Sequence, residues 1–266
     1  MQRKIGVIKN FFLIFLFIFS ANISYCESLF LKKIKKISLN DEVAVKNVKY
    51  VEKKESYDNF LTPERIKLLR QCYKKNRKWL NKAKILYNVN PKIISAILMV
   101  ESLCGKYHEK YNVVSVYVTL KKLGEDKYYR EKILKAIQKR YPQTTYRYFL
   151  KRVRKKYIWA KKQLKVLKII YDFHKIDVFK IKGSWAGAFG LPQFIPTTFL
   201  HYAVDGNDDG KIDLNHFPDA ILSIANYLKR NGWRDNFSRE KKFKVILKYN
   251  YSKLYAKTIL MLAGKI

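Results

Sequence analysis

The chain has 266 residues, with 56 Lys and Arg against 21 Asp and Glu, and a formal charge of +35. Its 48% hydrophobic content supports a core and excludes a disordered polycation, while 10 Gly and 6 Pro exclude a collagenous or low-complexity chain. The charge leaves nucleic acid, anionic membrane and acidic polymer as partner classes, but 44 Lys against 12 Arg reads as composition rather than as the Arg forks of nucleic-acid recognition.

At the N-terminus, Arg3, Lys4 and Lys9 precede an apolar run from Phe11 to Phe19 and a small or polar exit that ends at Tyr25-Cys26. This order predicts a secretory signal peptide over residues 1–26, because the uncharged stretch is short for a membrane-spanning helix. A lipidation signal at Ile23-Ser24-Tyr25-Cys26 ranks second, since Tyr25 is bulky for one. The mature chain is therefore expected in the periplasm or cell envelope, which argues against nucleic acid. Export also permits a Cys72–Cys104 disulfide, although two cysteines in apolar surroundings are as often unpaired.

Residues 27–60 are Lys-rich and without period, and read as a basic linker or arm; residues 61–266 read as one catalytic domain. Thr62-Pro63-Glu64 opens a helix that runs to about Lys75, and a second covers Asn76–Tyr87. A third starts at Asn90-Pro91 and stops at Cys104-Gly105. Residues 121–180 hold 20 basic and 5 acidic side chains and form a basic, helical, insertion-like segment. Residues 183–216 are loop-like, Phe217–Asn231 is helical, and Phe243–Ala263 is one helix or two short ones. No strand is clearly signalled, so the fold class is mainly α.

In the third helix Ile93, Ile94, Ile97, Leu98 and Cys104 share one face at helical spacing, and Glu101 points into the same stripe. Burial disfavours an ionised carboxyl and raises its pKa, and a carboxylic acid still protonated near neutral pH can donate a proton to a leaving group. The plainer reading is a glutamate that reaches water at the helix end or pairs with a lysine.

The stretch Val89–Gly105, ending Val100-Glu101-Ser102-Leu103-Cys104-Gly105, resembles the catalytic helix of the lytic murein transglycosylase B family. Lys182-Gly183-Ser184-Trp185-Ala186-Gly187-Ala188-Phe189-Gly190-Leu191-Pro192-Gln193-Phe194-Ile195-Pro196-Thr197-Thr198 is similar to that family's glycine-rich segment, and Tyr249-Asn250-Tyr251-Ser252-Lys253-Leu254-Tyr255-Ala256 to its last motif. Their order agrees with the family. The resemblance implies a lysozyme-like helical domain with a cleft between two lobes. It also implies cleavage of the MurNAc–GlcNAc bond of peptidoglycan glycan strands without water. Glu101 would serve as general acid and then as general base, giving a 1,6-anhydro ring. Ser184, Gln193, Tyr249, Asn250 and Tyr255 are implied as cleft residues that meet substrate or Glu101. The family also carries an arginine within 121–180, for which Arg154 is the candidate. No cofactor is required, and no obligate protein partner is signalled. Membrane association stays open through Cys26. Glu109, flanked by Lys106, His108 and Lys110, reads as solvated. The alternatives are a muramidase-type hydrolase using water and a non-catalytic peptidoglycan-binding protein.

Asp205, Asn207, Asp209, Lys211 and Asp213 fall at the first, third, fifth, seventh and ninth positions of an EF-hand-like loop, with Gly210 at the turn. Position twelve is His216, where a bidentate acid is expected, so the loop is as consistent with a weak Ca2+ site as with a polar turn; Asp219 is the acid nearest to compensate.

Overall fold

A computed structural model describes residues 29–49, 56–107, 109–174 and 176–266. The expected signal peptide and the Cys26 lipidation signal lie outside them. Residues 29–35 are helical (α1), followed by α2 (Asp41–Val48), a 3-10 turn (Asp58–Leu61), α3 (Pro63–Lys75), α4 (Arg77–Tyr87) and α5 (Pro91–Ser102). Then come β1 (Tyr111–Asn112), α6 (Val113–Glu125), α7 (Lys127–Arg140), α8 (Tyr146–Phe173), β2 (Lys182–Gly183) and α9 (Pro196–Tyr202). The chain ends with α10 (Phe217–Arg230), α11 (Arg239–Tyr249) and α12 (Lys253–Ala263). Among the described residues no helix is long and apolar enough to cross a membrane.

Helix α5 is the centre of the fold. Asn90 caps it by accepting from Lys92 N at 2.9 Å, and Pro91 occupies its first turn, where no N–H partner is needed. Ile93, Ile94, Ala96, Ile97, Leu98 and Met99 are all buried, the pattern of a helix enclosed on most sides. It packs against α3, α4, α10 and α12. Truncating Ile97 to alanine there costs about 2–5 kcal/mol. At its end Leu103 and Cys104 take left-handed backbone (φ 50° and 53°), and Cys104 N returns to Leu98 O at 3.1 Å. The pairing that was open in the sequence is closed: Cys104 forms a disulfide with Cys72 of α3, Cα to Cα 6.1 Å.

The expectation of a linker over residues 27–60 is corrected for its described part. Phe30 and Val43 enter the main core, while Ala44 and Val48 enter a second, smaller one with residues of α6, α7 and α8. Short apolar runs inside a Lys-rich stretch hide this packing from periodicity. The basic segment 121–180 is helical as expected, comprising the end of α6, α7 and the 28-residue α8. The antiparallel pair Tyr111 to Gly183 and Asn112 to Lys182 is too short to leave a period-two signature. Likewise the loop read over 183–216 contains α9, whose seven residues open on Pro196. The tail resolves into two helices, with Ser252 capping α12 by accepting from Tyr255 N.

Candidate active site

The last turn of α5 brings Glu101 against the α11–α12 corner. Tyr255, 1% exposed in the first turn of α12, donates its hydroxyl to Glu101 Oε1 at 2.7 Å. Glu101 keeps some exposure, but its carboxyl group is surrounded by protein. That burial pushes the carboxyl up to about 7, against the opposite pull of the Tyr255 hydroxyl. Among the described residues no lysine pairs with it and its carboxyl group is enclosed, so the plainer sequence reading of a glutamate in water or beside a lysine does not hold.

Aromatic rings build the surroundings. Tyr249 lies nearly parallel to Tyr255 (9°, centroids 6.3 Å apart), and Tyr57 meets Tyr255 edge-on at 6.1 Å. Burial, and then the charge of Glu101, holds both Tyr249 and Tyr255 well above the usual phenol range. Tyr249 donates to Pro192 O at 2.6 Å, which ties this corner to the glycine-rich segment. Asn250 is exposed at the corner, its N–H returning to Ile246 O.

The glycine-rich segment is a set of tight turns. Ser184 Oγ lies 3.3 Å from both Ala188 O and Ala188 N. Gly183 must be glycine, because a Cβ there would sit 2.4 Å from Ala188 O. Gly187 has φ +78°, and a Cβ on it would lie 2.5 Å from the ring of Tyr117, whose hydroxyl donates to Gly187 O at 2.8 Å. Gln193 is held in left-handed backbone (φ 49°), and its amide donates to Gly190 O and to Glu109 Oε1, both at 3.0 Å.

Thus Tyr255 contacts Glu101 directly and Tyr249 stands beside it, whereas Ser184 and Gln193 are bonded within their own segment and to Glu109. Arg154 is exposed on α8 and makes no hydrogen bond to this cluster. Glu109 corrects the sequence reading: it is half-buried and also accepts from Gly190 N at 2.6 Å. Burial raises its carboxyl above the usual range, opposed by the Gly190 and Gln193 donors. Glu109 also borders a cavity of about 860 Å3 with His174, Lys182 and Asp213; that cavity includes neither Glu101 nor the tyrosines. No local signal in the sequence marks Tyr57 or Tyr227 among 20 tyrosines. Tyr227 packs edge-on to Tyr249, with centroids 4.8 Å apart.

The loop expected to bind metal has the turn of a cation loop, with Asp208 and Gly210 left-handed (φ 62° and 80°). Asp205 accepts from Asp209 N and Gly210 N, and Asp209 from Lys211 N. Buried Asp219 accepts from Gly206 N at 2.8 Å and Asp213 N at 2.7 Å, so it braces both ends of the loop. Asn207 Oδ1 is buried without a partner, an orphaned acceptor of the kind a cation satisfies. Asp213 and His216 are exposed, and among the described residues no group of three or more His, Cys, Asp or Glu converges on a metal position.

Fold and site together define a lysozyme-like α-helical domain with a single desolvated glutamate at its tyrosine-lined corner. Residues 27–240 match the model of the Transglycosylase SLT domain, and the chain belongs to that family. It is 30% identical over 174 residues to membrane-bound lytic murein transglycosylase B of Escherichia coli (strain K12), which covers 65% of this chain. The match spans 40% of that relative's length. The fold is similar to the crystal structure of soluble lytic transglycosylase SltB1 from Pseudomonas aeruginosa (TM-score 0.72, 22% identity, covering 90% of this chain and 92% of that one). It is also similar to the Escherichia coli lytic transglycosylase Slt35 solved in complex with calcium (TM-score 0.62, 22% identity, 78% and 76%).

Proposed function

We propose that the protein is a peptidoglycan lytic transglycosylase that cleaves the MurNAc–GlcNAc bond and leaves a 1,6-anhydro-MurNAc end. The observation that carries this reading is the Glu101 carboxyl, pushed to about 7 by burial and gripped by Tyr255 at 2.7 Å. In the protonated state Glu101 gives its proton to the glycosidic oxygen as the C1–O bond breaks. The carboxylate so formed then takes the proton of the C6 hydroxyl on the same MurNAc, and O6 closes on C1. The proton lost in the first step is regained in the second, so no water is consumed. Tyr255 holds one carboxylate oxygen through both states.

A two-carboxylate glycosidase needs a second acid across the bond. Glu109 is bound to the Gly190–Gln193 turn instead, and the Glu101 cluster holds no other acidic side chain among the described residues. One acid suffices when the substrate's own 2-acetamido group supports the positive charge at C1. Ser184, Gln193, Tyr249 and Asn250 serve as cleft residues for the sugars, the tyrosine offering a ring face and a hydroxyl.

The chain acts in the periplasm or cell envelope after removal of residues 1–26. Asp205, Asn207, Asp209, the Lys211 carbonyl and Asp213 hold a weak structural Ca2+, which the reaction does not use. Supporting this are the orphaned Asn207 oxygen and the left-handed turn.

The test is release of soluble fragments from purified sacculi by the wild type and by Glu101→Gln. The wild type releases fragments and the variant binds without releasing. Release by the variant at the wild-type rate, or by neither protein, defeats the proposal.

A further inference from the structure

Helix α8 has two unlike faces. On one side Phe149, Val153, Ala160, Leu164, Leu167 and Ile170 are buried. At about 100° per residue, the side diametrically opposite carries Arg147, Lys151, Arg154, Ile158, Lys162, Lys165, Ile169 and Phe173 in one continuous row. The five cations of that row are exposed, and none is ion-paired among the described residues. An ordinary solvated face would be polar between its charges. Here Ile158 is 59% exposed and Phe173 62%, in line with the cations. The row also contains a depression of about 440 Å3 lined by Leu150, Lys151, Arg154, Lys155 and Ile158, so three cations and two aliphatic side chains share one concavity.

We propose that this outer face of α8 docks the protein on an anionic phospholipid bilayer. The inference is independent of the reaction assigned to Glu101. A helix of 28 residues is about 42 Å long and presents a long ridge to a flat partner. Exposed cations with large apolar side chains set among them on one ridge suit a membrane surface, the cations at the headgroups and the apolar side chains at the acyl boundary. The depression matches a headgroup: Lys151, Arg154 and Lys155 meet the phosphate, and Leu150 and Ile158 meet the glycerol and first methylenes. A carboxylated glycan complements the cations equally well but offers Ile158 and Phe173 only sugar faces and small methyl groups rather than acyl chains, which is why the bilayer is favoured over the wall polymer.

The test footprints lysines of the full chain with a water-soluble acylating reagent, read by mass spectrometry. Three conditions are compared: vesicles of phosphatidylcholine with phosphatidylglycerol, vesicles of phosphatidylcholine alone, and purified sacculi. On the anionic vesicles Lys151, Lys155, Lys162 and Lys165 are expected to lose reactivity about fivefold or more, while exposed Lys84, Lys241 and Lys257 keep theirs. Because the readout is local, attachment through the N-terminal apolar run does not imitate it. Each cation near such a surface contributes roughly fivefold, so Lys151→Gln/Arg154→Gln/Lys162→Gln weakens partition roughly a hundredfold. Ile158→Ser/Phe173→Ser, with every charge kept, weakens vesicle binding about tenfold and leaves sacculus binding unchanged. Equal protection on neutral vesicles, protection spread evenly over all lysines, or protection of the α8 lysines by sacculi alone overturns the proposal.

Discussion

Tyr255→Phe probes the acid most directly. The ring keeps its buried place, parallel to Tyr249 and edge-on to Tyr57, and only the hydroxyl 2.7 Å from Glu101 Oε1 is removed. A hydrogen bond to a charged group contributes about 1.5–3 kcal/mol, here in favour of the ionised carboxylate. At about 1.4 kcal/mol per pH unit, its loss lifts the Glu101 pKa by about one to two units from its present value of about 7. General acid catalysis requires the protonated form, so the alkaline limb of the kcat/KM profile, which reports the free enzyme, moves to higher pH by that amount. The assay is the pH dependence of glycan cleavage for both proteins. An alkaline limb that stays near pH 7, or moves down, in an active variant would show that Tyr255 does not stabilise the ionised Glu101.

Glu101 is held near 7 in the fold against 4.5 when free, so the native state binds its proton more tightly and stability falls as pH rises through that window. Glu101→Gln therefore raises the melting temperature near pH 8, by the equivalent of about 3 kcal/mol at most, and leaves it unchanged near pH 4. Glu109→Ala strips the partner from Gly190 N and the Gln193 amide; KM is expected to rise several-fold with kcat much less affected, separable by steady-state kinetics on defined glycans. Replacing Cys72 and Cys104 by serine opens a loop with a sequence separation of 32 and costs about 3–4 kcal/mol, measurable by denaturant unfolding.

Much of the fold can be read where capping chemistry and periodicity agree. Thr62-Pro63 and Asn90-Pro91 mark the starts of α3 and α5 to the residue, because cap and proline act locally. Glu101 is visible for a similar reason, as a charge out of place on an apolar stripe. What stays hidden depends on distant contacts. Val43, Ala44 and Val48 look like punctuation in a basic arm until α6, α7 and α8 close over them. Glu109 sits between lysines, and its burial comes from Gly190 and Gln193, 81 and 84 positions away. The resemblance implies that Gln193 meets substrate or Glu101; in the fold the left-handed turn aims its amide at Glu109, a contact no local pattern announces. The Lys excess looks like composition in the sequence, and it becomes specific only when α8 sorts its cations and apolar side chains onto one outer row.

If Glu101 both gives and takes a proton without water, the released glycan ends carry the record of it. The direct measurement is the mass and chemistry of the glycan ends released from purified sacculi. The expected ends are 1,6-anhydro-MurNAc, resistant to borohydride and formed without incorporation of isotopically labelled water. Reducible MurNAc ends carrying oxygen from that water would contradict that mechanism and make the protein a hydrolase.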